Sequence, residues 1–449
     1  MTRPNGGPSS GRGFISAAAR TKGVTQAAQE DESSAMANLT PWQECLLYAN
    51  RANPYPFYVE LRKTPVSRQP DGSYVVSTYR EIVSILHDPR VSSDLRKRHK
   101  AASAPAEVTS ASTYDQAPSM ITTDPPDHDR VRRATMRHFG PPHSPDLVSS
   151  QEAEIQRIVA GLLDNLKGKT RIDAVDEFAY PLPVSVICAI LGVPREDEPR
   201  FHAWIQAFMN GLDLGPEAAT EEQQRLRQLG DQGREDLKTY MAALLEKYAK
   251  QPGQGMLSAM VNDRSEERLS HGEALSNAML LLFAGHETTV NLIAHSVLTL
   301  LRHSDALEKL RRRPELIVPG VEEFLRFESS VQFWPTRTAL EDIEIAGTTI
   351  PKGSPVIPVY GSGNRDPNRF TNPDQVDLER EDNEHLGYSR GIHLCFGGPL
   401  ARLEAQIAVG EFVRRVRNPR LVVDPPPYRH NQMFRGPRHV LVDIDGVGD

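Results

Sequence analysis

Cysteine is scarce here: the 449-residue chain has three, Cys45, Cys188 and Cys395. Odd in number, far apart and without any C-x-x-C pair, they exclude a disulfide framework and a structural zinc site, and they suit a reducing cytoplasm. A basic excess is also missing. Lys plus Arg number 52 against 59 Asp plus Glu, a formal net charge of -7, whereas nucleic-acid binding needs clustered cations that release counterions. No nucleic-acid partner is expected. Nor is there a long unbroken apolar run. The most apolar stretch, Ala278 to Leu301, is interrupted by His286, Glu287, Asn291 and His295, which are costly at a bilayer centre. It reads as a buried helix and not as a membrane span. No internal repeat of the solenoid kind is found.

What is present is ordinary for a large globular protein: 39% hydrophobic and 25% charged residues, enough for a sizeable core. Length alone allows up to about three domains. Residues 1–37 are rich in Gly, Ser, Ala and Pro and read as a flexible tail, because they cannot bury enough surface to offset ordering entropy. Arg3, Arg12, Arg20 and Lys22 precede any acid there, as in a transit peptide, but the Gly and Pro content suits an amphipathic helix poorly. A translation start at Met36 accounts for the segment equally well. From Pro41 onward helical patterns dominate, over Trp42–Arg51, Pro56–Arg62, Tyr79–Leu86, Gln151–Leu166 and Gln223–Tyr248. Strand signals are short: Ser73–Ser77 after an Asp71-Gly72 turn, and Ile343–Val359 punctuated by Gly347 and Pro351-Lys352-Gly353. The fold class is mainly α with small β-sheets.

The densest signal runs from Leu386 to Arg402, LGYSRGIHLCFGGPLAR. Glycines flank Cys395, and Pro399 suits the first turn of a helix on which Leu400, Leu403 and Ile407 share a face. This places Cys395 just before a helix N-terminus, where free amides and the dipole stabilise a thiolate, the form a haem iron binds and from which electron donation favours O–O cleavage. The bland alternative is a buried structural cysteine. The segment resembles the cysteine signature of the cytochromes P450, its aromatic, glycine, cysteine and second glycine falling on Tyr388, Gly391, Cys395 and Gly397. Tyr388 stands where Phe is usual and Ser389 where Gly is usual. The resemblance implies Cys395 as the axial ligand of a b-type haem, the iron being the only metal expected.

Ala284-Gly285-His286-Glu287-Thr288-Thr289 resembles the family's oxygen-binding motif. Thr288 is four residues after Ala284, so its hydroxyl can take that carbonyl and loosen the helix around Gly285. The resemblance implies a groove for dioxygen at Ala284 and Gly285, and a proton relay through Glu287 and Thr288. The alternative is a buried helix whose threonine back-bonds and whose glutamate is held in a salt bridge. His286 reads as a packing or surface residue.

Glu323 and Arg326 sit three apart in a helical pattern, which alone is an ordinary pair. The resemblance makes them, with Arg380, a buried triad that serves folding and haem retention. Asn364-Arg365-Asp366-Pro367 and Phe370 also match the family, while Gly361-Ser362-Gly363 departs from it. His128 and Arg132, four apart, share one helix face. Similar proteins use these positions with Arg337 and His393 to bind the haem propionates, although each alone is an ordinary solvated charge. Arg130, Arg133 and Arg137 fall on the opposite face and would form an exposed cationic stripe, extended by Arg402, for an acidic ferredoxin.

Matches run from Asn53-Pro54-Tyr55-Pro56 to Arg435-Gly436-Pro437-Arg438-His439, so residues 38–449 are expected to be a single domain of cytochrome P450 fold. The implied activity is insertion of one oxygen atom from O2 into a small apolar organic substrate by hydroxylation or epoxidation. Electrons would come from NAD(P)H through a reductase and a ferredoxin or flavodoxin, in a cytoplasmic monomer. Expected pocket walls are Leu280 and Phe283 beside Ala284, Phe333 and Trp334 near Arg337, Met433 and Phe434 within Asn431–Phe434, and the stretch Ser103 to Met120. A peroxide-using or isomerising haem-thiolate enzyme would not need Thr288. A haem-based gas sensor would bind gases without consuming NAD(P)H. A cysteine hydrolase with His393 as base is a third alternative, weakened because residues two apart in a tight loop need not converge.

Overall fold

The two longest helices begin where the sequence supplies a side-chain cap. Ser270 and Glu273 form a reciprocal capping box at the start of the longest helix, and the Thr220 hydroxyl accepts from Gln223 N at the start of the next longest, satisfying amides that have no partner within the helix. The computed structural model describes residues 39–97, 117–139, 146–212 and 220–449. The expected tail 1–37 and most of the stretch Ser103 to Met120 lie outside the described residues. The principal helices are α1 (Tyr55–Arg62), α2 (Tyr79–His87), α3 (Asp127–Met136), α4 (Glu152–Asp164), α5 (Pro181–Leu191), α6 (Glu198–Gly211), α7 (Glu221–Lys250), α8 (His271–Arg302), α9 (Ile317–Phe327) and α10 (Gly398–Arg415). Pro41–Asp449 is one compact unit.

Sheets are small. Five short strands, β1 (Val66–Arg68), β2 (Tyr74–Val76), β3 (Val91–Ser92), β5 (Arg337–Ala339) and β8 (Pro355–Pro358), pair in the order β1-β2-β8-β5-β3. Only β2 and β8 run parallel, with Val75 opposite Ile357. A three-stranded sheet joins β4 (Arg171–Asp173), β10 (Leu441–Asp443) and β9 (Arg420–Leu421), and β6 (Ile343–Ile345) pairs with β7 (Thr348–Ile350) across the Gly347 turn. The fold is mainly α with small sheets, as its sequence pattern implies.

The expected helix Trp42–Arg51 is interrupted. It stops at Leu46, and only a single 3-10 turn follows at Tyr48–Asn50. The Arg51 guanidinium donates to Leu46 O and the Asn50 amide to Glu44 O, both at 2.8 Å, so side chains capture the carbonyls that a continued helix would use.

α8 runs through the core with side chains from Val290 to Leu300 buried on all sides, as a helix apolar all round must be. It packs against α5, α9 and α10. A Cβ on Gly285 would stand 2.7 Å from Ile187 Cδ1, so this glycine is what lets α5 approach the middle of α8. α6 and α7 are similarly close: a Cβ on Gly233 would meet Trp204 O at 2.7 Å.

Candidate active site

Three segments converge on one cavity: the middle of α8, the loop that precedes α10, and the segment between α9 and β5. Its free volume, open solvent at the mouth included, is ≈ 1450 Å³. Ala284, Gly285, Thr288 and Thr289 form part of the wall, and Cys395 with Tyr388, Ser389, His393 and Phe396 forms another part. Thr288 Oγ1 donates to Ala284 O at 2.8 Å, the back-bond its spacing predicts.

Glu287 is directed elsewhere. Its carboxylate accepts from Arg429 Nη1, in a close buried ion pair, and from Gln206 Nε2 of α6 at 3.4 Å, and it does not border the cavity. Burial pushes the Arg429 guanidinium down to about 10. His286 is buried against the rings of Tyr180 and His202, and desolvation pushes its imidazole down to about 3. It is therefore a neutral packing residue.

The cysteine loop is shaped by two left-handed residues, Ser389 (φ 61°) and Gly391 (φ 69°). A Cβ at Gly391 would stand 2.2 Å from Leu86 O, so this position admits only glycine. Ser389 adopts the strained region in place of the family's usual glycine, with its hydroxyl 3.4 Å from that of Tyr360. Cys395 N donates to Tyr388 O at 3.0 Å and closes the loop. Surrounding protein raises the thiol above its ordinary pKa by desolvation, while the amides of Gly397 and Gly398 and the charges of Arg132 and Arg402 pull it back. Cys45 and Cys188 are buried, and desolvation pushes the Cys188 thiol up to about 12 and that of Cys45 higher still. Of the three, Cys395 is the one that borders the cavity.

His128, Arg132, Arg337 and His393 come together beside this loop. The His128 and His393 rings meet edge to face at 4.6 Å, Arg132 Nη2 donates to Leu394 O at 2.6 Å, and Arg337 Nη1 donates to Ser93 Oγ at 2.6 Å. His128 Nε2, His393 Nε2 and Arg337 Nε are buried without a partner. Burial pushes the His393 imidazole down to about 3. Buried orphaned nitrogens are rare because each costs its full desolvation, and a cluster beside an apolar cavity fits a flat apolar group that carries carboxylates. Haem is such a group, and the thiol of Cys395 fits its iron.

The triad is assembled, with Glu323 and Arg326 buried and Arg380 partly buried. Arg326 Nε and Nη2 each donate to Glu323 at 2.8 Å, and Arg380 Nε donates to Glu323 Oε2 at 3.0 Å. Arg326 also donates to Asn364 O at 2.8 Å, and Asn364 Oδ1 accepts from Leu386 N at 2.6 Å, which ties the triad to the first residue of the cysteine segment.

Other expectations need correction. Phe333 and Met433 do not line the cavity, whereas their neighbours Trp334 and Phe434 do. Phe333 packs on Trp42 with ring centroids 4.9 Å apart, and Met433 packs against the same cluster. The cationic stripe is not open either. Arg130 pairs with Glu273, Arg133 with Glu267 at 2.9 Å, Arg137 with Asp263 at 3.0 Å, and Arg402 with Glu322 at 2.7 Å. Helix periodicity placed these arginines on one face but could not show the acids opposite them. Leu280 and Phe283 are in the wall as expected, joined by Ile187, Phe139 and Val331. No sequence signal marks Ile187, because the whole of α5 is apolar.

The described residues contain no helix long and apolar enough to cross a membrane. The cytochrome P450 family model matches residues 42–438. The vitamin D(3) 25-hydroxylase of Pseudonocardia autotrophica is 37% identical over 395 residues, covering 86% of this chain and 92% of that one. The 6-deoxyerythronolide B hydroxylase of Saccharopolyspora erythraea is 34% identical over 404 residues, covering 87% and 96%. Among solved structures, P450BioI in complex with an acyl carrier protein ligated to hexadec-9Z-enoic acid superposes with a TM-score of 0.78 at 35% identity, covering 89% of this chain and 99% of that one. With the thiol, the Thr288–Ala284 back-bond and the cluster of His128, Arg132, Arg337 and His393 gathered at one cavity, these likenesses make the chain a member of the cytochrome P450 family, oxygenating oxidoreductases that carry haem.

Proposed function

We propose that this chain is a haem-thiolate monooxygenase that inserts one oxygen atom of O2 into a large apolar substrate, with Cys395 as the residue that would hold the haem iron. The observation that carries this reading is that the Cys395 thiol and Ala284, Gly285 and Thr288 border one cavity. Haem bound there supplies the iron at which dioxygen is reduced, and thiolate donation favours O–O cleavage. His128, Arg132, Arg337 and His393 hold its carboxylates, with the three orphaned nitrogens as donors.

Thr288 Oγ1 holds a proton next to the groove at Ala284 and Gly285. Glu287 lies behind it and exchanges protons with it when the Arg429 and Gln206 contacts open, which keeps bulk water from flooding the site. Leu280, Phe283, Trp334 and Phe434 exclude water and grip apolar surface. The names of the relatives, a vitamin D(3) hydroxylase, a 6-deoxyerythronolide B hydroxylase and an enzyme bound to a fatty-acyl carrier, support a large apolar substrate. Electrons come from NAD(P)H through a reductase and a ferredoxin or flavodoxin, entering where Ile392 and Leu394 are exposed beside Cys395.

The test is the carbon monoxide spectrum of the reduced protein. A thiolate-type Soret band in the wild type and in Cys45→Ala and Cys188→Ala, lost in Cys395→Ala, is expected. A band that survives Cys395→Ala rules the ligand assignment out. NAD(P)H consumption with a reductase and ferredoxin separates this reading from a gas sensor, which binds carbon monoxide without turnover.

A further inference from the structure

The C-terminal end of a helix leaves carbonyls without partners. At the end of α6, Met209 O takes one bond from Leu212 N at 3.3 Å and a second from far along the chain, where Asn431 Nδ2 donates to it at 3.0 Å. The same amide is used at its other end, where Asn431 Oδ1 accepts from the backbone N–H of Phe434 at 2.7 Å. Asn431 is 2% exposed, so water does not replace either bond if it breaks. Phe434 is held on its other side by α8. Asn291 Nδ2 donates to Phe434 O at 3.3 Å, and His295 Nε2 donates to Arg435 O at 3.2 Å.

The side chains close the same circuit. Phe434 meets Phe283 of α8 edge to face at 5.2 Å between centroids, and Phe283 meets Phe208 of α6 at 6.0 Å. Two adjacent residues of α6 therefore lead to Phe434 by separate routes, the ring of Phe208 through Phe283 and the carbonyl of Met209 through Asn431. Phe434 itself borders the cavity.

We propose that Asn431 is a positioning residue that sets the size limit of the substrate, by making Phe434 and the last turn of α6 move as one. This rests on the reading of the cavity as the haem and substrate site. A ligand that fits beneath Phe434 leaves the clamp intact, whereas a larger one has to displace Phe434 and the end of α6 together. Aspartate at 431 keeps an acceptor for Phe434 N–H and loses the donor to Met209 O, so the two parts come apart. A ligand that requires the displaced arrangement then gains the population factor that the clamp withheld, about three- to tenfold for one hydrogen bond.

The experiment is spectral titration of the holoprotein with imidazole, which fits beneath Phe434, and with econazole, a bulky apolar azole. Wild type, Asn431→Asp and Asn431→Ser are compared; the serine hydroxyl stays near Phe434 N–H, falls short of Met209 and carries no charge, so it serves if the aspartate variant fails to fold. Hydrogen exchange of peptides covering residues 205–212 and 432–436 is followed alongside. Expected are imidazole affinities within about twofold of wild type, econazole bound about three- to tenfold more tightly by the variants, and faster exchange at 205–212. Equal econazole affinities overturn the proposal, as does unchanged exchange at 205–212. A wild type that shows no spectral response to imidazole overturns the reading of the cavity, and a wild type that responds while its variants match it for econazole overturns the clamp alone.

Discussion

Glu404 of α10 is a buried carboxyl without a partner. It is 2% exposed, its Oε2 is enclosed with no hydrogen bond, and burial pushes its pKa up from 4.5 to about 8. Between those two values the folded protein retains a proton that the unfolded chain has released, so stability falls as pH rises through this window. At pH 7 the interval from 4.5 is about 2.5 units, or roughly 3 kcal/mol at 1.36 kcal/mol per unit. Glu404→Gln removes the titration and keeps the shape. The glutamine amide brings its own unpaired donors, a pH-independent cost of about 1–3 kcal/mol, so the informative quantity is the slope of the difference with pH. At about 2.1 cal/mol/K per residue, the 449 residues make roughly 3 kcal/mol worth about 3 °C. Calorimetry of the holoproteins from pH 5 to pH 8 should show the Tm of the variant gaining on wild type by about 3–4 °C across the range. A difference that stays constant with pH would mean that Glu404 is ionised or solvated, and the reasoning fails.

Glu323→Gln should be destabilising at every pH, because it leaves the buried guanidinium of Arg326 and that of Arg380 facing a neutral amide; a loss of about 3–5 kcal/mol and a reduced Soret-to-protein absorbance ratio are expected, and a variant of wild-type Tm and haem content refutes the triad's role. Thr288→Ala should leave the carbon monoxide band intact while product formed per NAD(P)H falls, with up to about 10² in rate at stake; coupling that matches wild type at saturating substrate removes the hydroxyl from the proton path. Phe333→Ala should cost about 3–5 kcal/mol of stability with imidazole and econazole affinities unchanged, since the ring packs on Trp42 outside the cavity, whereas Phe434→Ala should alter econazole binding. The reverse pattern in spectral titrations would restore Phe333 to the pocket.

Local chemistry was legible wherever a residue's role depends on its chain neighbours. The back-bond from Thr288 to Ala284, the helix opening at Pro399 after Cys395, the Gly347 turn and the pairing of Glu323 with Arg326 all follow from spacings of a few residues, and the structure reproduces each. Alternation was the weak point. In Phe333-Trp334 and Met433-Phe434 composition shows two apolar neighbours and cannot say which of them faces the cavity, because that is set by long-range backbone bonds, Trp334 N to Pro358 O and Gln332 N to Met433 O. Trp42–Arg51 failed for a related reason, its helix being ended by hydrogen bonds to Leu46 and Glu44 that the apolar periodicity does not reveal.

By itself, then, the sequence determined the mainly helical class, the glycine-flanked Cys395 before a helix start, the Thr288–Ala284 back-bond and the Glu323–Arg326 pair, since each is written in short-range patterns with a definite physical requirement. Tertiary structure alone decided what meets across long separations. It turned Glu287 toward Arg429 and Gln206, paired Arg130, Arg133 and Arg137 with Glu273, Glu267 and Asp263, and brought Asn431 to Met209. These partners lie tens to hundreds of residues apart in the chain, where no helical or strand period carries information, and only the packing of whole helices brings their donors and acceptors within a bond length of one another.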